Sequence, residues 1–162
     1  MNLPTVSRPH FPAGYLEAPR GFVLWEYVEE QLVKASDYWL CSVQPDGRPH
    51  VVPKWGVWVK NCFYFDGSPG TRHARNIALN PAVAVHLESG EQVVIVNGDC
   101  TAVSQPDAGL AAEVARTYTQ KYEKKGYAPA ADQWKDGGLF EVVPRTALAW
   151  TKFTDDPTKF TF

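Results

Sequence analysis

Hydrophobic positions along the chain change period several times, and each change marks an element. In GFVLWEYVEEQLVKAS, residues 21 to 36, Leu24, Tyr27, Val28 and Leu32 recur at helical spacing. Glu26, Glu29 and Glu30 fall on the opposite side, so the stretch reads as an amphipathic helix. The period then shortens to two. DYWLCSVQPDGRPHVVPKWGVWVKNCFYFDGS reads as three strands. Trp39 to Val43 form the first, and Pro45-Asp46-Gly47 turns the chain. The second runs from Pro49 to Val59, with Val51, Pro53, Trp55, Val57 and Val59 on one face and His50, Val52, Lys54, Gly56 and Trp58 on the other. Lys60-Asn61 makes a second tight turn before the third strand, Cys62 to Phe65. Pro53 lacks an amide hydrogen and marks an edge, a bulge or an interrupted ladder. Gly56 admits a bulge or the close approach of another group.

TRHARNIALN is a short helix stopped by Pro81. AVAVHLES and EQVVIVNGDCTAVS flank a Ser89-Gly90 turn as two further strands. PDAGLAAEVARTYTQKYEKKG is a second long helix, with Asp107 in its first turn, Lys124 and Lys125 in its last, and Gly126 as its stop. LFEVVPRTALAWTKF supplies one or two last strands, bent at Pro144. Residues 1 to 20 carry four prolines and little periodicity, and read as an irregular arm before a single domain over 21 to 162. Six strands joined mostly by hairpins predict a mainly β, α+β fold: a small antiparallel barrel with inserted helices, since closure removes exposed edges.

Composition narrows this picture. Of 162 residues, 44% are hydrophobic, which is enough for one core. A net charge of -2 argues against general nucleic-acid binding. No signal-peptide pattern and no apolar run of membrane-helix length occur, so a cytoplasmic protein is expected. Cys41, Cys62 and Cys100 are odd in number and widely spaced, without a metal-ligand pattern, and read as reduced thiols. No metal is expected, and no nucleophile or nucleotide motif occurs; no carboxylate pair is spaced for acid–base work, so no catalytic residue is assigned.

The basic cluster in SPGTRHARNIALNP, residues 68 to 81, changes the picture most. Arg72, His73 and Arg75 open a helix whose dipole is already positive at that end, a local cost that a bound anion offsets. Gly70 lets the backbone curl toward a ligand, Ser68 and Thr71 add hydroxyls, and Arg72 offers a fork for two phosphate oxygens. The competing reading makes Arg72 and Arg75 solvated residues paired with nearby acids.

The segments YWLCSVQPDGRPHVVPKWGVWV, FYFDGSPGTRHARNIALNPAVAVHLE and VVIVNGDCTAV, together spanning roughly residues 38 to 103, resemble the pyridoxamine 5′-phosphate oxidase-like superfamily of flavin- or deazaflavin-binding split β-barrels. The resemblance implies a homodimer with two cofactor sites at the interface, FMN or alternatively the deazaflavin coenzyme F-420 as cofactor, and hydride transfer to or from a small organic substrate. It places the cofactor phosphate at Thr71, Arg72 and His73, the last standing where many relatives carry lysine. It lays the ring against the strand His50 to Trp55, with Val52, Pro53, Lys54 and Trp55 as wall and Lys54 near the ring's carbonyl edge; Trp150 closes the pocket. Beside these stand plainer roles: core packing for Trp55, Trp58 and Trp150, a snorkelling surface lysine at Lys54, a backbone-bonded turn residue at His50, and a satisfied histidine at His86. The alternatives to an enzyme are a non-catalytic binder of flavin, F-420 or haem on the same fold, and a dimeric scaffold without ligand.

Overall fold

The computed structural model describes residues 3–16 and 19–162. The strands are β1 (Thr5–Ser7), β2 (Tyr38–Val43), β3 (Pro49–Lys54), β4 (Val57–Val59), β5 (Cys62–Asp66), β6 (Ala82–His86), β7 (Val93–Val103), β8 (Leu139–Trp150) and β9 (Thr158–Thr161). The helices are α1 (Trp25–Lys34), α2 (Arg72–Leu79) and α3 (Ala108–Tyr122), the last continued by a 3-10 turn over Glu123–Lys125. Every strand pairing is antiparallel.

Hydrogen-bonded neighbours run β3, β2, β6, β7, β8, and from β8 on to β5 and β4. Since β3 runs straight into β4 through Trp55 and Gly56, the ring closes through the chain itself. This is a split β-barrel. The expected single strand over 49 to 59 is therefore two, with different partners: among the described residues β3 pairs with β2 alone, and β4 with β5 alone. Counting β3 and β4 as one bent strand leaves the six barrel strands expected from sequence, with β1 and β9 added outside them. Pro53 lies on β3 opposite Trp39, where the strand's other edge has no ladder to lose.

Local chemistry explains the turns. Lys60 and Asn61 both hold positive φ, 50° and 62°, as a two-residue hairpin demands. Gly56 has no room for a Cβ, which would meet the Phe63 ring and lie 2.7 Å from the Tyr64 carbonyl oxygen. The bend expected at Pro144 appears as a register shift: Asn97 pairs with Thr146, but Gly98 pairs with Pro144, leaving Arg145 as the extra residue. Asp107 caps α3 by accepting from the Gly109 and Leu110 amides, both at 3.0 Å.

The interior of the barrel is filled by Leu40, Phe63, Phe65, Val85, Val96, Val142, Ala147 and Phe160. From α1 come Trp25, Val28 and Leu32; Leu24 stands just before the helix and is exposed. A second core lies outside the barrel, where α3 packs Val114, Ala115, Tyr118 and Tyr122 on Val57, Val59, Tyr64 and Trp134. One expectation about the ends is revised. Residues 5 to 7 of the arm pair with β9, and Phe11 and Tyr15 pack on Phe153. Asp156 accepts from the Thr151 and Lys152 amides at 2.9 Å and holds the turn that sends the chain back as β9. Among the described residues, no helix is long and apolar enough to cross a membrane.

Candidate functional site

The turn between β5 and α2 is built from its own polar groups. The Thr71 amide and hydroxyl both donate to the Ser68 carbonyl, at 3.1 and 2.9 Å. The Gly70 amide donates to Ser68 Oγ at 3.2 Å. Thr71 is the N-cap of α2, accepting from the Ala74 amide. The helix then divides its residues by face: His73, Ala74, Asn76 and Ile77 are buried, while Arg72 and Arg75 are exposed. Asn76 anchors the buried side by donating to Ser42 Oγ at 3.1 Å.

Two basic side chains converge from different elements beside this turn. Lys54, at the end of β3, reaches β5 and donates to the Asp66 carbonyl at 2.7 Å, with its ammonium 5.2 Å from the Phe65 ring centre. His73 Nε2 lies 3.2 Å from Thr71 Oγ1, and its ring packs 6.0 Å from Phe65. Both meet over Gly67, where a Cβ would stand 3.3 Å from Lys54 Nζ and 3.9 Å from His73 Nε2. Burial, then the Lys54 and His50 charges, pull the His73 pKa down to about 4, so the imidazole is neutral at ordinary pH. Burial also lowers the Lys54 pKa, against the raising influence of Asp66.

A cleft of about 430 Å³ opens next to Lys54, lined by Asp37, Pro53, Lys54, Trp55 and Asp66. Trp55 forms its flat wall: the indole stacks on Tyr122 at 4.9 Å, donates to Asp37 Oδ1 at 3.1 Å, and is 37% exposed. Lys125 sits 5.3 Å from that ring and pairs with Asp37 at 3.6 Å. Opposite, the Asp66 carboxylate accepts from Tyr127 and from Gln133.

The structure thus brings Lys54, Thr71 and His73 together, with Ser68 shaping the turn and Trp55 and Pro53 on the adjoining cleft. His50 lies on β3 opposite Ser42 and is half-buried; Val52 packs against the barrel core. Arg72 and Arg75 do not line the cleft, and neither side chain has a hydrogen-bond or ion-pair partner among the described residues. Trp150 is not part of this group: it pairs with Val93 and packs on Phe153 at 5.4 Å, under the N-terminal arm. Trp58 is core, and His86 stacks on Trp39 while its Nδ1 meets the Leu87 carbonyl at 2.8 Å. Sequence reasoning passed over Asp37, Asp66 and Tyr127, which the cleft gathers from three separate stretches with no spacing in common.

A phosphate-bearing ring fits these residues on one structural ground. Two arginines without counter-ions flank a capped helix start, beside an ammonium whose bonded partner is a carbonyl. Split barrel and basic turn together define the class, and the sequence agrees. Residues 24–152 match the profile described as pyridoxamine 5′-phosphate oxidase, and the chain belongs to that family. Solved structures show the same fold. An F420 reductase is 25% identical, with a TM-score of 0.57 over 73% of this chain and 94% of its own. An FAD-binding protein from Mesorhizobium loti is 18% identical, with a TM-score of 0.60 over 86% and 95%. HutZ, the haem storage protein from Vibrio cholerae, is 21% identical, with a TM-score of 0.54 over 74% and 87%. No curated protein matches the chain.

Proposed function

We propose that this protein is a flavin- or deazaflavin-binding oxidoreductase that works as a homodimer, with FMN or F-420 as cofactor. The cofactor phosphate lies at the opening of α2 and the ring over the strand that carries Lys54 and Trp55. The observation that carries the reading is the pair Arg72 and Arg75, charged, exposed and unpartnered one turn apart at a helix start. Cations there are unfavourable by a few tenths of a kcal/mol up to about 1 kcal/mol unless an anion joins them. Thr71 and the free amides of the first turn supply hydrogen bonds to the same anion.

When bound, the ring system carries the hydride exchanged with a small organic substrate. The chain's own part is to bind and orient. Trp55, fixed by Tyr122 and Asp37, offers a flat apolar surface at the cleft mouth. Lys54 and the Asp66–Tyr127 pair set the polarity of its walls. The names of the similar structures, an F420 reductase and an FAD-binding protein, support a ring cofactor of this kind.

Native mass spectrometry of the purified protein, followed by fluorescence titration with FMN and with F-420, tests the proposal. Micromolar or tighter binding of one of them is expected. A protein that binds neither, and instead takes haem with a new Soret band, would replace the reading with a haem carrier on the same fold, as the HutZ likeness allows.

A further inference from the structure

We infer that Lys54, and not His73, joins Arg72 in neutralising the cofactor phosphate beside α2, so that part of the positive charge comes from the neighbouring strand. This rests on the phosphate reading above. His73 occupies the helix position but is 7% exposed, packed on Phe65 and turned to the Thr71 hydroxyl. A buried imidazole of low pKa contributes a hydrogen bond and no charge. Lys54 arrives at the same spot from β3: both groups lie within 4 Å of the point that a Gly67 Cβ would occupy. Gly67 immediately precedes the Ser68-to-Thr71 turn, and its missing side chain leaves that space open.

Lys54 also has charge to give. One of its three ammonium donors goes to the Asp66 carbonyl, and it makes no ion pair among the described residues. The nearest carboxylate, Asp66, already accepts from Tyr127 and Gln133. An ammonium half out of water and lacking an anion is an incomplete interaction, and a phosphate at the turn completes it. The groups facing Lys54 are His50 on its own strand, Tyr38 opposite it on β2, Asp37 across the cleft, Phe65 and Asp66 on β5, and His73 on α2.

The test is charge relocation, read by fluorescence titration with FMN, F-420 and, as a ring without phosphate, riboflavin. Against whichever phosphorylated ligand the wild type binds, K54M is expected to lose tenfold or more in affinity. K54M/H73K is expected to recover most of that loss, and H73K alone to gain less than threefold. The K54M effect should disappear for riboflavin. K54M binding within twofold of wild type, or losing riboflavin as strongly as FMN, overturns the assignment of Lys54 and leaves the phosphate reading standing. A wild type that binds neither phosphorylated ligand overturns both. Thermal melts of each variant separate loss of the site from loss of the fold.

Discussion

Arg72 and His73 are neighbours in sequence and opposites in setting. One faces solvent with no side-chain partner among the described residues, and the other is buried against Phe65. The helical period does encode this: His73, Ala74, Asn76 and Ile77 follow the spacing of a buried stripe. A histidine and an asparagine occupy two of the four places, so the stripe does not stand out as apolar. The partners that explain the difference, Lys54 and Phe65, come from other strands. Arg72→Ala is expected to weaken binding of the phosphorylated cofactor by about 1.5–3 kcal/mol, the scale of a charged hydrogen bond; unchanged affinity in a titration would remove the phosphate from α2. His73 gives a stability signature of the opposite kind. Its folded pKa, about 4, lies below the ordinary 6.5, so the unfolded chain binds the extra proton first. Stability is therefore fully present above pH 6.5 and is lost as pH falls toward 4. Urea melts of His73→Gln should lack that part of the acid loss, and parallel wild-type and variant curves over the window would refute it.

Among the elements, α3 does what sequence inspection did not anticipate. Its Tyr118, Lys121 and Tyr122 stand at i, i+3 and i+4 and bond the kink where β3 becomes β4. Tyr118 donates to the Trp55 carbonyl at 3.3 Å, Tyr122 to the Gly56 carbonyl at 2.8 Å, and Lys121 to the Gly56 carbonyl at 3.3 Å and Tyr38 at 2.7 Å. The Gly56 amide in turn donates to Tyr122 at 3.0 Å. Side chains more than sixty residues away thus satisfy backbone groups that the ladder leaves free. For that reason the six barrel strands, the helices and most turns were readable from period and turn chemistry, and Gly56 was marked as a place of close approach, while the distant groups that meet it there, and the short strands β1 and β9, were not. Gly56→Ala should cost about 3 kcal/mol or more, because the added methyl meets the Phe63 ring and a backbone carbonyl that cannot retreat; a melting temperature within a degree or two of wild type would show that the kink gives way. Lys121 carries a second prediction. Burial lowers its pKa from 10.5 to about 8, so the folded state loses its proton first. The contribution of Lys121 to stability should rise between pH 8 and about 9.5 by about 1–2 kcal/mol, against the fall that the Cys62 and Cys100 thiols cause because burial raises their folded pKa to about 11 and about 12. The difference between the wild-type and Lys121→Met profiles should show that rise, and parallel profiles across the window would contradict it.

At the scale of the whole molecule, the arginines of α2 are exposed, and the barrel's outer surface carries a largely apolar groove. A groove of about 520 Å³ crosses β2, β6, β7 and β8, lined by Cys41, Val43, Pro49, Ala82 and Ala84, with Asp99 and Arg145 paired at its far side. Val51, on the adjoining β3, is 47% exposed. Apolar positions turned outward on one connected face of a barrel are the mark of a surface that meets another protein. The homodimer of the proposed function gives both features one cause, since a second copy seated on this face would cover the groove and bring a wall to the phosphate. Ala84 sits at the centre of β6, opposite Cys41 on one side and Asn97 on the other, with its methyl outward. Ala84→Arg therefore places a bulky charge in the contact while leaving the barrel interior untouched. Sedimentation should show the wild type at twice 18.1 kDa and the variant at 18.1 kDa. The variant should melt with a normal cooperative transition yet bind FMN or F-420 at least tenfold more weakly than wild type, because half of each site leaves with the partner. A variant that stays dimeric would move the interface to another face. A monomer that keeps full cofactor affinity would show that one chain builds the whole site, and the open side of α2 would then need a different explanation.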